Sequence, residues 1–102
     1  MNKSTESLGE IIRKLREEND LPLRKVANEL DIDMSFLSKI ERNERAATKE
    51  QVVRLADFFN VDARDLLIQH GSDKVFNEIK SEKNAKEILK AAKAKLKSFK
   101  KG

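Results

Sequence analysis

VANELDIDMSFLSKIERNER, residues 26–45, reads as two short helices joined by a tight corner. Val26, Ala27 and Leu30 share one face of the first helix. Leu37 and Ile40, three apart, share one face of the second. Between them, Asp31 stands where the chain must reverse, and aspartate tolerates a left-handed backbone better than most residues. Ile32 is the apolar plug of the corner. Asp33 suits an N-cap, because its carboxylate can accept from the unpaired N–H groups that open the second helix. Ala27 is small where two helices must approach at a steep angle. With the apolar residues buried, the second helix turns Met34, Ser35, Phe36, Ser38, Lys39 and Arg42 outward.

Helical signals continue on both sides of this stretch. Met1 to Glu6 is polar and is expected to fray. Ser7-Leu8-Gly9-Glu10 fits a capping box, and Leu8, Ile11, Ile12 and Leu15 then recur at amphipathic spacing as far as Asn19-Asp20. Pro22 opens the next helix, where its missing N–H costs nothing. After the quoted stretch, Asn43 fits a left-handed helix end and Glu44 to Ala47 a loop. Thr48-Lys49-Glu50-Gln51 is a second capping box. It is followed by a core stripe of Val52, Leu55, Ala56 and Phe59, with Val53 and Phe58 at its margins. Asn60-Val61-Asp62 turns the chain, Val61 tucked in and Asp62 as cap. Ala63, Leu66 and Leu67 carry a fifth helix to His70, with Gly71 as its terminator.

Composition bounds the answer. The 102 residues suit one domain with an appendage, and 38% hydrophobic residues suffice for a small helical core. One Pro and three Gly leave too few breakers for a sheet-rich fold. The absence of Cys excludes disulfides and thiolate metal sites. No apolar run approaches the roughly 20 residues that cross a bilayer, and no signal peptide opens the chain. A cytoplasmic protein without a membrane partner is therefore expected. The single His70, away from any acid cluster, is expected to sit at a helix end and not on a metal. No Gly-rich phosphate loop or nucleophile with an orienting base is present, so neither an enzyme nor a cofactor is expected.

The stretch resembles the lambda-repressor/Cro-like (Xre-type) helix-turn-helix family. The shared features are Ala27 five residues before Ile32, Leu30 before the corner, the Ser38-x-x-Glu41-Arg42 run, and the flanking helices. The resemblance covers Leu8 to Leu67, about six-tenths of the chain. It implies an all-α, five-helix DNA-binding domain over residues 1–71, with residues 72–102 as a helical, lysine-rich extension. In such a motif the second helix, here residues 34–42, is held from behind and enters a major groove. The resemblance makes Met34, Ser35, Phe36, Ser38 and Lys39 the base-reading positions. Lys39 can donate to guanine, and Met34 and Phe36 can rest on thymine methyls. Arg42, Arg45 and Lys49 are candidate phosphate clamps. Pro22 and Leu23 replace the family's usual polar cap and glutamine, which leaves backbone N–H groups and Arg24 for phosphate. The resemblance also implies an ion pair between Arg16 and Glu41.

The extension differs in charge from the rest. Residues 84–102 hold seven Lys and one Glu, net +6, whereas residues 1–83 are net −2. Ser72 restarts a helix through Val75, Phe76 and Ile79. After an interruption at residues 80–83, Asn84 opens another, on which Ile88, Leu89, Leu96 and Phe99 share an arc of about 100°. Three readings stay open for this tail: a phosphate contact, a dimer or protein-partner seam, or a helix ordered only on binding.

Together these expectations describe a transcriptional regulator, repressor or operon controller, that binds a double-stranded, pseudo-palindromic operator as a homodimer. The resemblance extends to small phage repressors and restriction–modification controller proteins. The alternative is an antitoxin or interaction module whose C-terminal helix binds a protein partner, its DNA binding being autoregulatory.

Overall fold

A computed structural model describes residues 5–101. Among these residues there are six helices and no strand: α1 Leu8–Glu18, α2 Leu23–Leu30, α3 Met34–Glu41, α4 Lys49–Phe59, α5 Ala63–Ile79 and α6 Ala85–Lys101. The first five enclose one core. Ile12 of α1, Val26 of α2, Leu37 of α3, and Val52 and Leu55 of α4 are its most completely buried large side chains, and Leu66 of α5 joins them.

Local chemistry places the helix boundaries. Ser7 and Glu10 form a reciprocal capping box on α1, and Thr48 and Gln51 form another on α4. Pro22 is the N-cap of α2 and makes no side-chain cap bond. Asp33 caps α3 by accepting from the Phe36 N–H at 2.9 Å. The corner between α2 and α3 recurs between α4 and α5. Asp31 (φ 58°) and Asn60 (φ 56°) each take the left-handed conformation. The next residue, Ile32 or Val61, donates its N–H back to Ala27 or Ala56, and Asp33 or Asp62 then caps the following helix. The repeated corner has one difference. Ile32 is half-buried against the core, whereas Val61 is exposed and not tucked in.

The fifth helix departs from the sequence expectation. It does not stop at His70-Gly71 but runs unbroken to Ile79, so the boundary expected after residue 71 falls inside it. Ser72 therefore restarts nothing, and Val75, Phe76 and Ile79 belong to α5. His70 is no helix end either. It is buried in mid-helix, with Nε2 2.6 Å from the Ala47 carbonyl oxygen. Three residues on, Asp73 accepts from the Leu8 N–H at 2.8 Å, so a carboxylate of α5 satisfies the first free amide of α1. These contacts on both sides of Gly71 outweigh the roughly 1 kcal/mol that an interior glycine costs a helix.

A methyl group at Gly71 would meet nothing within 4 Å. Gly71→Ala is accordingly expected to stabilise the chain by about 0.5–1 kcal/mol. Urea unfolding followed by circular dichroism measures this, and a lowered midpoint would refute it.

The chain's opening is only partly within view, since residues 1–4 lie outside the described residues. Glu6, expected to fray, is instead buried and forms an ion pair with Lys14. That hydrogen bond raises the Lys14 ammonium above its usual range. At the other end of the chain, α6 leaves α5 through a turn over residues 80–84 and buries no side chain in the core.

Candidate nucleic-acid interface

The back of α3 is fixed by Leu37 and Ile40, both fully or nearly fully buried. Its front follows from helical geometry: Met34 is 45% exposed, Ser35 and Lys39 are exposed, and Ser38 is half-buried. At the helix start the Ser35 hydroxyl donates to Asp33 Oδ1 at 2.9 Å, beside the capping bond from Phe36. Those two donors, the backbone one first, hold the Asp33 carboxyl below the usual aspartate range. The α3 N-terminus is therefore preorganised, with Ser35 held in place and Lys39 one turn further on.

Phe36 divides its surface. It is half-buried against the core, and the Arg45 guanidinium lies over its ring, 5.1 Å from the centroid. Arg45 reaches there because the chain after α3 folds back. The Glu44 and Arg45 N–H groups both donate to the Lys39 carbonyl, at 2.8 and 3.3 Å, and Asn43 (φ 64°) makes the turn. Arg42 is exposed and pairs with Glu44 at 3.3 Å. Arg24 near the start of α2 and Lys49 at the start of α4 are both exposed.

Behind this surface Arg16 and Glu41 meet in two-point geometry. Arg16 Nε donates to Glu41 Oε2 at 2.8 Å, and a terminal guanidinium nitrogen donates to Oε1 at 3.0 Å. The other terminal nitrogen donates to the Leu21 carbonyl at 3.0 Å. The Glu41 side chain is only 5% exposed. Hydrogen bonding to Glu41 raises the Arg16 guanidinium above its ordinary range. One side chain thus ties α1 to the end of α3 and to the α1–α2 loop.

Sequence reading missed two residues that seat α1, one against α3 and one on α5. At Gly9 the helix backbones approach closely: a Cβ there would lie 2.3 Å from the Ile40 carbonyl oxygen and 2.9 Å from that of Glu41. The only sequence signal was a glycine inside a capping box, and it leaves the partner surface unspecified. Asp73 gave no signal at all, because its partner amide is 65 residues away. Among the described residues there is no group of three or more His, Cys, Asp or Glu side chains able to hold a metal ion. No helix among them is long and apolar enough to cross a membrane.

A helix-turn-helix family model matches residues 12–66, more than half of the chain. The chain belongs to the helix-turn-helix family, of the lambda repressor/Cro (Xre) type. That family consists of DNA-binding regulators and is not an enzyme class. No curated protein matches. Among solved structures the chain is similar to the clp gene regulator ClgR from Corynebacterium glutamicum in two crystal structures. One is 23% identical with a TM-score of 0.54, covering 65% of this chain and 86% of ClgR. The other is 21% identical with a TM-score of 0.55, covering 90% of this chain and 84% of ClgR. A structure of the SinR protein/SinI protein complex matches at 20% identity and a TM-score of 0.52, over 93% of this chain and 99% of that one. At these identities the likeness establishes a shared helix-turn-helix fold.

Proposed function

We propose that the chain is a sequence-specific transcriptional regulator of the cytoplasm, a repressor or operon controller. It reads DNA with α3 and acts as a homodimer on a pseudo-palindromic operator. One observation carries the reading: α3 is gripped from behind by Leu37 and Ile40, while Met34, Ser35 and Lys39 stand exposed along its front. In this reading Lys39 donates to a base edge, Ser35 and Ser38 bond base or phosphate, and Met34 meets an apolar base edge. Phe36 contributes less, because half of its ring is spent on the core and the rest carries Arg45. Arg24, Arg45 and Lys49 serve phosphates, joined by Arg42 once its exposed pairing with Glu44 is exchanged for a phosphate oxygen. Two copies of α3 would enter successive major grooves about 34 Å apart.

Selection of bound sequences from random DNA tests this directly. The expected result is a pair of inverted half-sites with centres one helical turn apart. On the selected site, Lys39→Ala should cost about 1–3 kcal/mol of binding and relax one base position. Equal losses on selected and random DNA would make Lys39 a phosphate contact. Enrichment of no sequence would remove the reading as a whole.

A second reading is favoured by one specific observation. Ile88, Leu89, Leu96 and Phe99 leave an apolar stripe of α6 exposed, Phe99 by 80%. A chain so equipped is suited to holding a protein partner, as an antitoxin does, with DNA binding in a secondary role.

A further inference from the structure

Two surfaces of this chain are complementary, and among the described residues neither is covered. The first is α6. Ile88, Leu89, Leu96 and Phe99 line one side of it and all are exposed. Lys86, Lys93 and Lys100, spaced by seven, border that stripe on one side, and Lys95 borders it on the other. The second is a groove between α1 and the start of α5. Its apolar floor includes Ile11, Leu15 and Ile68, the last 49% exposed, and its rim carries Glu18, Asp62 and Asp65. Lys14 also lines the groove, but Glu6 beside it compensates its charge through their ion pair. No residue of α2 or α3 lines the groove.

We infer that α6 of one copy of this chain lies in the α1/α5 groove of a second copy, and that the exchange is reciprocal. Apolar stripe then meets apolar floor, and lysines meet carboxylates on the rim. Two such contacts related by a two-fold axis close a dimer and leave neither surface over. The competing arrangements fit less well. Pairing α6 with α6 would bring together two segments of net +6. A nucleic acid would take the lysines but leave the apolar stripe in water. The inference builds on the homodimer proposed above and gives it an interface. Its test uses no DNA, so a failure here is distinct from a failure of the DNA reading.

The test is charge exchange in the full-length chain, read by sedimentation at low and high salt. Glu18→Lys with Asp65→Lys reverses the groove rim, and Lys86→Glu with Lys93→Glu reverses the helix. Each doubly substituted chain alone is expected to dimerise about tenfold more weakly than the parent. An equimolar mixture of the two should recover the parental affinity, because both contacts of the mixed dimer are again complementary. Leu89→Ser with Leu96→Ser should abolish dimerisation. These positions lie outside the core, so circular dichroism should show α1 to α5 intact. A parent chain that sediments as a monomer overturns the inference, whether α6 folds back onto its own groove or stays free. A dimer indifferent to groove reversal, or one strengthened by helix reversal, overturns it as well.

Discussion

Gly9→Ala should unfold the chain at a markedly lower temperature, although alanine is the better helix former. The new methyl carbon would lie 2.3 Å from the Ile40 carbonyl oxygen, 2.6 Å from Asn43 Oδ1 and 2.9 Å from the Glu41 carbonyl oxygen. The Asn43 side chain can swing aside. The two carbonyls belong to the last turn of α3 and cannot, so α1 must rise off α3. Overpacking of this kind costs about 1–3 kcal/mol, occasionally more. The gain in helix propensity returns roughly 1 kcal/mol. Because the obstacle is backbone, we take the overpacking cost at the top of that range, about 3 kcal/mol, which leaves a net loss of about 2 kcal/mol. At about 4–8 °C per kcal/mol for a domain of this size, the melting temperature should fall by roughly 10 °C. Thermal unfolding followed by circular dichroism gives the answer, and a melting curve superimposable on the parental one would contradict it. Gly71→Ala is the internal control: the same exchange, also within a helix, with open space in place of carbonyls and a change of opposite sign.

Removing the carboxylate of Glu41 should be at least as damaging. Glu41→Ala leaves the Arg16 guanidinium, whose side chain is 15% exposed, without the partner that takes two of its hydrogen bonds. Breaking a buried pair from one side costs about 3–5 kcal/mol. Arg16 keeps its bond to Leu21 and some access to water, so about 2–3 kcal/mol is the expected loss. The effect should appear as destabilisation first. At a temperature where the variant is still folded, its DNA affinity should stay within a few-fold of the parent. Chemical denaturation and a DNA titration on the same sample separate the two quantities. An unchanged denaturation midpoint would show that the pair contributes nothing to holding α1 against α3.

Most of the helical plan follows from local chemistry, and local chemistry is legible in a sequence. Ser7 with Glu10, Thr48 with Gln51, and Asp33 and Asp62 as caps each act within three residues. The same holds for Asp31 in its left-handed turn and for the spacing of Val26, Leu30, Leu37 and Ile40. The outward position of Ser35 and Lys39 follows from that spacing alone, since a helix with a buried back has an exposed front. At the second corner, Asn60-Val61-Asp62, the turn and the Asp62 cap are legible in the same local way, whereas the exposure of Val61 is not.

What the tertiary structure alone decided is every outcome that depends on distant partners. A glycine after a histidine is a reasonable stop, yet α5 continues because His70 meets Ala47 and Asp73 meets Leu8, 23 and 65 residues away. Gly9 matters because two carbonyls of α3 lie against it, and no spacing rule specifies that approach. Phe36 turned half inward, and Arg45 came to cover it, through a fold-back onto Lys39 that composition does not encode. Every helix start except the one expected at Ser72, and the apolar side of each helix, could be read from the residues, because those choices rest on hydrogen bonds and periodicities within a turn or two. Where one helix ends, which glycine is indispensable and which surfaces remain uncovered were decided by contacts across the chain, whose free energies exceed the local preferences they override.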